Sequence, residues 1–107
     1  MSNGEDHERK FTSFKEFYPF YLNEHSDRIN RRLHFTGSLV VLLVLAAVVI
    51  TRNWLLLLLV PVLGYGFAWI GHFFIEKNKP ATFTYPLYSL MGDWKMFLDI
   101  ITGKVKF

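Results

Sequence analysis

The chain has 107 residues and no cysteine, and its formal net charge is +3. The lack of cysteine excludes disulfides, thiolate metal sites and cysteine nucleophiles. Hydrophobic residues make up 51% of the sequence and charged residues 20%, and the charges lie mainly towards the two ends. This distribution predicts one all-α integral membrane domain over residues 11–107. Nucleic acid is not an expected partner, because the basic residues flank apolar segments instead of lining a polar face.

The first part of the chain is predicted to be a tail followed by an amphipathic helix. Residues 1–10 lack apolar periodicity and are expected to be disordered. Residues 11–26 repeat aromatic side chains at steps of three and four residues, which is typical of a helix lying at the headgroup level. Pro19 lies inside this segment, so either a short helix starts there or a longer helix kinks.

Two apolar segments then predict an antiparallel transmembrane hairpin. After a polar turn at 26–32, residues 33–50 and 54–75 are each long enough to cross a bilayer as a helix, and Pro61 is expected to kink the second one. Six lysines and arginines precede the first span, one lies in the loop at 51–53, and five follow the second span. The positive-inside rule therefore predicts that both termini are cytoplasmic.

Further patterns complete the predicted fold. Gly64, Ala68 and Gly71 form a strip of small residues that would let two helices approach closely in lipid. Tyr65 and Trp69 beside it are interpreted as packing or interfacial aromatics. Residues 86–102 place apolar side chains on one face and predict a second interfacial amphipathic helix. The predicted fold is thus a two-helix hairpin flanked by two amphipathic helices.

Three histidines are expected to meet at the cytoplasmic mouth of the hairpin. Counted from Arg52 in the loop, His34 and His72 lie 18 and 20 residues away, so helical rise puts them within roughly 3 Å of the same depth. His25 precedes His34 by nine residues, across a polar turn that can fold it back over the mouth. Glu76 follows His72 by one turn. Imidazole with carboxylate and no sulfur suits Fe(II), Zn(II) or Mn(II).

Other polar residues near these histidines have two interpretations each. Arg31 is a topology signal or a clamp for a carboxylate headgroup. Asp93 is a solvated charge or the partner that holds a histidine. Asn30 and Asn78 are turn residues or supports for the site. The alternative interpretation of the histidines is that they hold the fold or contact headgroups, because spacing alone does not show convergence.

The chain resembles the Mpo-type membrane 2-hydroxy fatty acid dioxygenase family in two stretches, YLNEHSDRINRRLHFTG (Tyr21–Gly37) and GYGFAWIGHFFIEKNKPATF (Gly64–Phe83). The likeness continues through PLYSLMGDWKMF (Pro86–Phe97). Its shared elements are two histidines nine residues apart with an Asn-Arg pair between them, and a Gly-His-x-x-x-Glu followed by Lys and Pro-Ala. Together these elements are specific to the family.

The resemblance implies Fe(II)-dependent oxidation of 2-hydroxy fatty acids by oxygen, which gives acids one carbon shorter. The residues that it implies are His25, His34 and His72 as metal ligands and catalytic residues, Glu76 as a further ligand or a support, and Asn30 and Arg31 as groups that orient or bind the substrate. A homodimer, or a roof formed by the amphipathic helices, is expected to enclose the headgroup. The competing hypothesis is a non-catalytic membrane protein that binds a lipid or a partner and whose histidines are structural.

Overall fold

The computed structural model describes residues 11–107, and the predicted tail at 1–10 lies outside this range. The described part of the chain is entirely helical and contains no strand, which confirms the all-α prediction. Its elements, in chain order, are α1 (Phe14–Asn23), α2 (Arg28–Thr51), a 3₁₀ helix (Trp54–Leu58), α3 (Leu59–Ile70), a π-helical segment (Gly71–Glu76), a short 3₁₀ helix (Ala81–Phe83) and α4 (Pro86–Ile101).

Helix α1 runs through Pro19. It begins at Phe14 because the Ser13 hydroxyl accepts a hydrogen bond from the backbone N–H of Glu16 at 3.2 Å and caps the first turn. The interpretation that a short helix starts at Pro19 is therefore wrong. Pro19 costs this helix a backbone hydrogen bond to Lys15, and packing of the aromatic face offsets that loss.

Helix α2 begins earlier than the sequence suggests. The polar stretch at 26–32 was expected to be a turn, but residues from Arg28 onward are helical. The Asp27 carboxylate caps this end by accepting a hydrogen bond from the backbone N–H of Ile29 at 2.8 Å. The prediction of a turn over the whole stretch is wrong, because a cap of this kind lets polar residues form the first turns of a helix.

The second apolar segment changes its helical type twice. It starts as a 3₁₀ helix and becomes α-helical at Leu59, two residues before Pro61. The proline ring would clash with the carbonyl group of Leu57 in a continuous α-helix, and the tighter 3₁₀ geometry precedes this point. The segment ends in the π-helical turns, which stop at Lys77 in the left-handed region with a φ of 59°.

The two apolar segments pack closely against each other after the short link at Arg52 and Asn53. A Cβ on Gly37 would come within 2.9 Å of the Phe67 Cβ, so only glycine allows this approach. A Cβ on Gly71 would overlap the carboxamide oxygen of Asn30. By length and composition, Arg28–Thr51 and Trp54–Glu76 are both apolar enough to cross a membrane.

An aromatic cluster joins α1 to α4 at the histidine end of the molecule. Its buried members are Phe17, Tyr18, Tyr21, Ala81, Met96 and Ile100. The Tyr18 hydroxyl donates to the Asp99 carboxylate at 2.8 Å, and the Lys95 ammonium lies 3.2 Å from the same oxygen. This cluster fixes the C-terminal end of α1, which carries the chain into His25.

Candidate metal centre

Three histidines from three different elements meet in the interior. His25 follows α1, His34 lies in the second turn of α2, and His72 is the second residue of the π-helical segment. The exposed fractions of these side chains are 1%, 7% and 2%. The Nε2 atom of His25 lies 3.1 Å from that of His34 and 3.0 Å from that of His72. One nitrogen from each ring therefore points to a common position.

The Nδ1 atom of His25 lies 2.7 Å from the backbone carbonyl oxygen of Tyr21. A carbonyl oxygen only accepts hydrogen bonds, so Nδ1 carries the proton and Nε2 carries a lone pair. The tyrosine ring also stacks on the imidazole with the ring centroids 4.0 Å apart. Tyr21 therefore fixes both the tautomer and the plane of this histidine.

The Nδ1 atom of His72 lies 2.7 Å from the side-chain oxygen of Asn78. The amide orientation follows from the second contact of Asn78, whose Nδ2 donates to the backbone carbonyl of Glu24 at 3.2 Å. The amide oxygen must then face His72, which places the imidazole proton on Nδ1 and the lone pair on Nε2. Asn78 thus supports the site instead of serving only as a turn residue.

The third ring faces a carboxylate. His34 Nδ1 lies 3.6 Å from Asp93 Oδ1, and the same oxygen accepts a hydrogen bond from the Tyr21 hydroxyl. The negative charge favours the His34 tautomer with its proton on Nδ1. Asp93 therefore lies beside a histidine, as one of its two interpretations required.

The Nδ1 atoms of His25 and His72 are hydrogen-bonded to acceptors, and that of His34 faces Asp93. With the proton on Nδ1 in each ring, three Nε2 lone pairs face one another. Nitrogen lone pairs about 3 Å apart repel unless a proton or a cation lies between them. Histidine nitrogens bind divalent metals at about 2.0–2.1 Å, so two nitrogens on one ion are separated by about 3 Å. The spacing and the neutral nitrogen donors both fit a divalent transition metal such as Fe(II), Zn(II) or Mn(II).

The surroundings of His25 favour its neutral imidazole, which is the form that binds a metal. Burial lowers the pKa of His25 well below its usual value, and the adjacent imidazoles of His34 and His72 lower it further. The ring is therefore neutral at physiological pH. Burial raises the pKa of Asp93, and the hydrogen bond from Tyr21 opposes this shift.

Glu76 lies apart from the three converging nitrogens. One of its carboxylate oxygens accepts a hydrogen bond from the backbone N–H of Asp27, and the other lies 3.4 Å from the Ser26 hydroxyl oxygen. In the described residues, the group able to hold one ion consists of the three histidines. Glu76 thus ties the end of the π-helical segment to the start of α2.

Arg31 is also engaged in holding the backbone. Its guanidinium donates to the carbonyl oxygens of His25 at 3.0 Å, Ser26 at 2.7 Å and Lys106 at 2.9 Å. Arg31 therefore fixes the link that carries His25 and joins it to the end of the described chain. Arg31 does not line the cavity beside the histidines, which is where a clamp for a headgroup would have to lie.

Asn30 is fully buried beside Gly71, the residue before His72. Among the described residues, neither polar atom of its carboxamide has a hydrogen-bond partner. Its contact with Gly71 sets how closely α2 approaches the π-helical segment. Asn30 therefore contacts the residue that precedes His72 in the chain.

The three histidines lie at one end of a cavity of about 420 Å³, the central groove, between α2, α3 and the start of α4. Its walls are mainly apolar. Helix α4 forms the wall opposite the two long helices, through Leu90, Asp93 and Trp94. No lysine or arginine of the described chain lines it. The arrangement can hold a metal ion and place an apolar chain beside it.

Sequence reasoning missed Tyr21 and the groove walls. Tyr21 precedes His25 by four residues, and helical spacing alone would have put the two rings on one face. Gly64 and Ala68 were interpreted as helix-packing residues, but they line the groove. The signal for this role would have been their position one and two turns before His72.

Comparison with known proteins supplies the family. The sequence model described as "2-hydroxy-palmitic acid dioxygenase Mpo1-like" matches residues 11–105. The chain belongs to this family. No curated protein and no solved structure matches the chain. The match confirms the resemblance seen in the sequence, and it spans all the elements that build the three-histidine centre of this Mpo1-like protein.

Proposed function

We propose that this Mpo1-like protein is a membrane dioxygenase that uses Fe(II) to oxidise 2-hydroxy fatty acids to acids one carbon shorter. The observation that carries the proposal is the convergence of three histidine nitrogens at the end of an apolar groove. The family description supports the substrate class. A 2-hydroxy acid offers a hydroxyl and a carboxylate as paired oxygen ligands, and its alkyl chain suits the groove walls.

The reaction balances without an external reductant. The bond between the carboxyl carbon and C2 breaks, C2 is oxidised from an alcohol to a carboxylic acid, and one O₂ is reduced. The products are the shortened acid, CO₂ and water. His25, His34 and His72 would hold the Fe(II), which would supply the redox chemistry that lets O₂ react with a closed-shell substrate.

The protein's own groups hold and orient the centre. The Tyr21 carbonyl, the Asn78 amide and the Asp93 carboxylate each face one Nδ1 atom, which keeps the three rings from rotating. Asp93 also lines the groove beside the centre. Its carboxylate is therefore the group that we place to accept or return a proton at Oδ1 or Oδ2 during turnover.

The roles of Arg31, Asn30 and Glu76 are positional in this proposal. Arg31 and Glu76 contact backbone groups around residues 25–27, and Asn30 contacts the residue that precedes His72. The groove has no basic side chain in the described chain. In this proposal a metal held by the three histidines, and not Arg31, would receive the substrate carboxylate.

The same proposal includes a membrane arrangement. Arg28–Thr51 and Trp54–Glu76 leave most of their apolar surface uncovered by the rest of the chain, as expected of helices that contact lipid. We place them as an antiparallel hairpin with both termini cytoplasmic, following the lysine and arginine distribution. Helices α1 and α4 then lie at the cytoplasmic interface. Because α4 already supplies the third wall of the groove, the site does not require a homodimer.

The test is anaerobic purification followed by metal analysis and turnover. We expect near-stoichiometric iron, oxygen-dependent conversion of 2-hydroxypalmitic acid and a product one carbon shorter by mass spectrometry. His72→Ala should abolish both iron binding and turnover. A folded protein without metal, in which His25, His34 and His72 can each be replaced without loss of phenotype, would instead support the non-catalytic hypothesis.

A further inference from the structure

Two rows of side chains lead away from the three-histidine centre along the central groove. The first row lies on α2 and runs from His34 through Ser38, Val41 and Leu45. The second row runs from His72 of the π-helical segment back along α3 through Ala68, Gly64 and Val60. Every step is three or four residues, so each row follows a single helix face. By helical rise, Leu45 and Val60 lie about 16 and 18 Å from the levels of the two histidines.

The chemistry of these rows suits an alkyl chain. Ser38 contributes one hydroxyl, the other members are apolar, and Pro86, Leu90 and Trp94 of α4 complete the wall. Polar lining is concentrated at the histidine end. A molecule with a metal-binding head and a long apolar tail would therefore fit the groove in one direction, with its tail towards the link at Arg52.

We propose that the row of Ala68, Gly64 and Val60 sets the length of the acyl chain that the centre accepts. This inference rests on the proposed function, because it fixes the head of the substrate at the three histidines. The three residues lie about 6, 12 and 18 Å from the level of His72 by helical rise. Each position thus meets a different depth of the same chain.

Gly64 is the position at which this row can be blocked with least disturbance. A Cβ there would meet only the Val41 Cγ2 atom, at 3.6 Å, which is ordinary van der Waals contact. A larger side chain can therefore be carried by the backbone and would extend into the groove. Gly66, two residues later, provides a matched control, because a Cβ there would meet nothing within 4 Å. Gly66 does not line the groove.

The experiment measures binding of a homologous series of 2-hydroxy acids to the full chain in lipid nanodiscs, by competition with a photoreactive 2-hydroxy acyl probe. Gly64→Leu should leave short acids unaffected and weaken those that extend past Gly64, by about tenfold for every two methylene groups displaced from the groove. Gly66→Leu should keep the original profile. An equal loss at every length, or the same profile in both variants, would overturn the inference.

A second measurement does not depend on the variants folding. Probes with the photoreactive group at increasing distances from the carboxyl group are crosslinked to the unmodified protein, and the labelled residues are mapped by mass spectrometry. Labelling should move from the Ala68 level to Val60 and Leu45. Labelling at exposed residues outside the groove such as Val49 and Phe74, whatever the position of the photoreactive group, would show that the tail lies outside the groove and would refute the inference.

The outcomes separate this inference from the proposed function. Binding and crosslinking are read without turnover, so a protein that lacks oxygenase activity still reveals whether the groove measures chain length. Turnover together with equal binding of acids of every chain length would support the proposed dioxygenase function and reject the row as the element that sets chain length. Failure of every acid in the series to compete would reject the groove as an acyl site.

Discussion

The three histidines differ in what holds them. Tyr21 contacts His25 through its own backbone and ring, whereas Asp93 and Asn78 reach their histidines from other segments of the chain. A histidine whose Nδ1 is held by a good acceptor is a better oriented and more basic ligand. Metal binding at this centre would consequently depend on residues that do not contact the ion.

Asn78 allows a direct test of this dependence. We expect Asn78→Ala to lower metal affinity by about 10–100-fold, because His72 loses the acceptor that fixes its tautomer. Asn78→Asp keeps an acceptor oxygen and should restore much of the affinity. Asn53→Ala, in the link after α2, serves as the control. Equal affinity in all four proteins, measured by metal competition, would contradict this role.

Substitution of Glu76 distinguishes a metal ligand from a residue that only supports the backbone. Because its carboxylate accepts from the Asp27 N–H, Glu76→Ala should lower the free energy of unfolding by about 1–2 kcal/mol and leave the metal content near that of the unmodified protein. His72→Ala should lose the metal. Metal analysis and thermal unfolding on the same samples check both statements. A folded Glu76→Ala variant without metal would show that Glu76 is a ligand.

At the scale of elements, the sequence predicted where the helices lie better than where they begin. Apolar segments of bilayer length identify the two long helices, and counting residues from the link put His34 and His72 at one level. The start of α2 was missed because the polar residues before the apolar segment were interpreted as a turn, although Asp27 is a residue type that caps helices.

The π-helical segment could not be predicted from periodicity. Its residues match an α-helix as well as they match any other type, and what distinguishes them is tertiary. Asn30 of α2 packs against Gly71, and Glu76 at the other end contacts the start of α2. Segments of this type occur often at functional sites. Here the segment carries His72.

The junction of α1 and α4 gives a prediction about acid stability. Burial disfavours the charged form of Asp99, but the hydrogen bonds from Tyr18 and Lys95 outweigh it, so the pKa of Asp99 is lowered. A carboxyl whose folded pKa is depressed contributes stability that is present above its unfolded pKa of about 3.9. That contribution is lost as the pH falls through the lower folded value.

Tyr18→Phe should therefore reduce the fall in unfolding free energy that accompanies acidification below about pH 4. The variant should also be less stable at neutral pH by about 1–3 kcal/mol, since Asp99 loses a buried donor. Tyr88→Phe, on α4, is the control. Denaturant unfolding in detergent at several pH values provides the measurement. The same pH dependence in both variants would show that the Tyr18–Asp99 bond does not shift the Asp99 pKa.

At the scale of the whole molecule, the long axis suits a membrane. The principal extents are 52 × 28 × 27 Å, and a bilayer hydrocarbon core is about 30 Å thick. The histidine end, with α1 and α4, carries the aromatic and charged residues. The link at Arg52 forms the opposite end. The distribution of apolar and charged residues along the sequence predicted this division between an apolar part and a polar part of the molecule.

The proposed orientation can be tested because the chain contains no cysteine. Single cysteines introduced at Asn53 and at Lys104 should react with a membrane-impermeant maleimide from opposite sides of sealed vesicles. In vesicles whose cytoplasmic side faces inward, the cysteine at the Lys104 position should react only after the vesicles are permeabilised. Both positions reacting from the same side would rule out a hairpin that crosses the membrane twice.

The all-nitrogen composition of the centre has a practical consequence for anyone who isolates the protein. Three neutral imidazoles bind Zn(II) more tightly than Fe(II), following the general order of affinities for divalent metals. An ion bound there after expression would then reflect the supply of metals in the culture medium as well as the preference of the protein. Under the proposed function a zinc-filled sample would be inert towards oxygen, and recovering it would require removal of the zinc with a chelator before anaerobic loading with Fe(II).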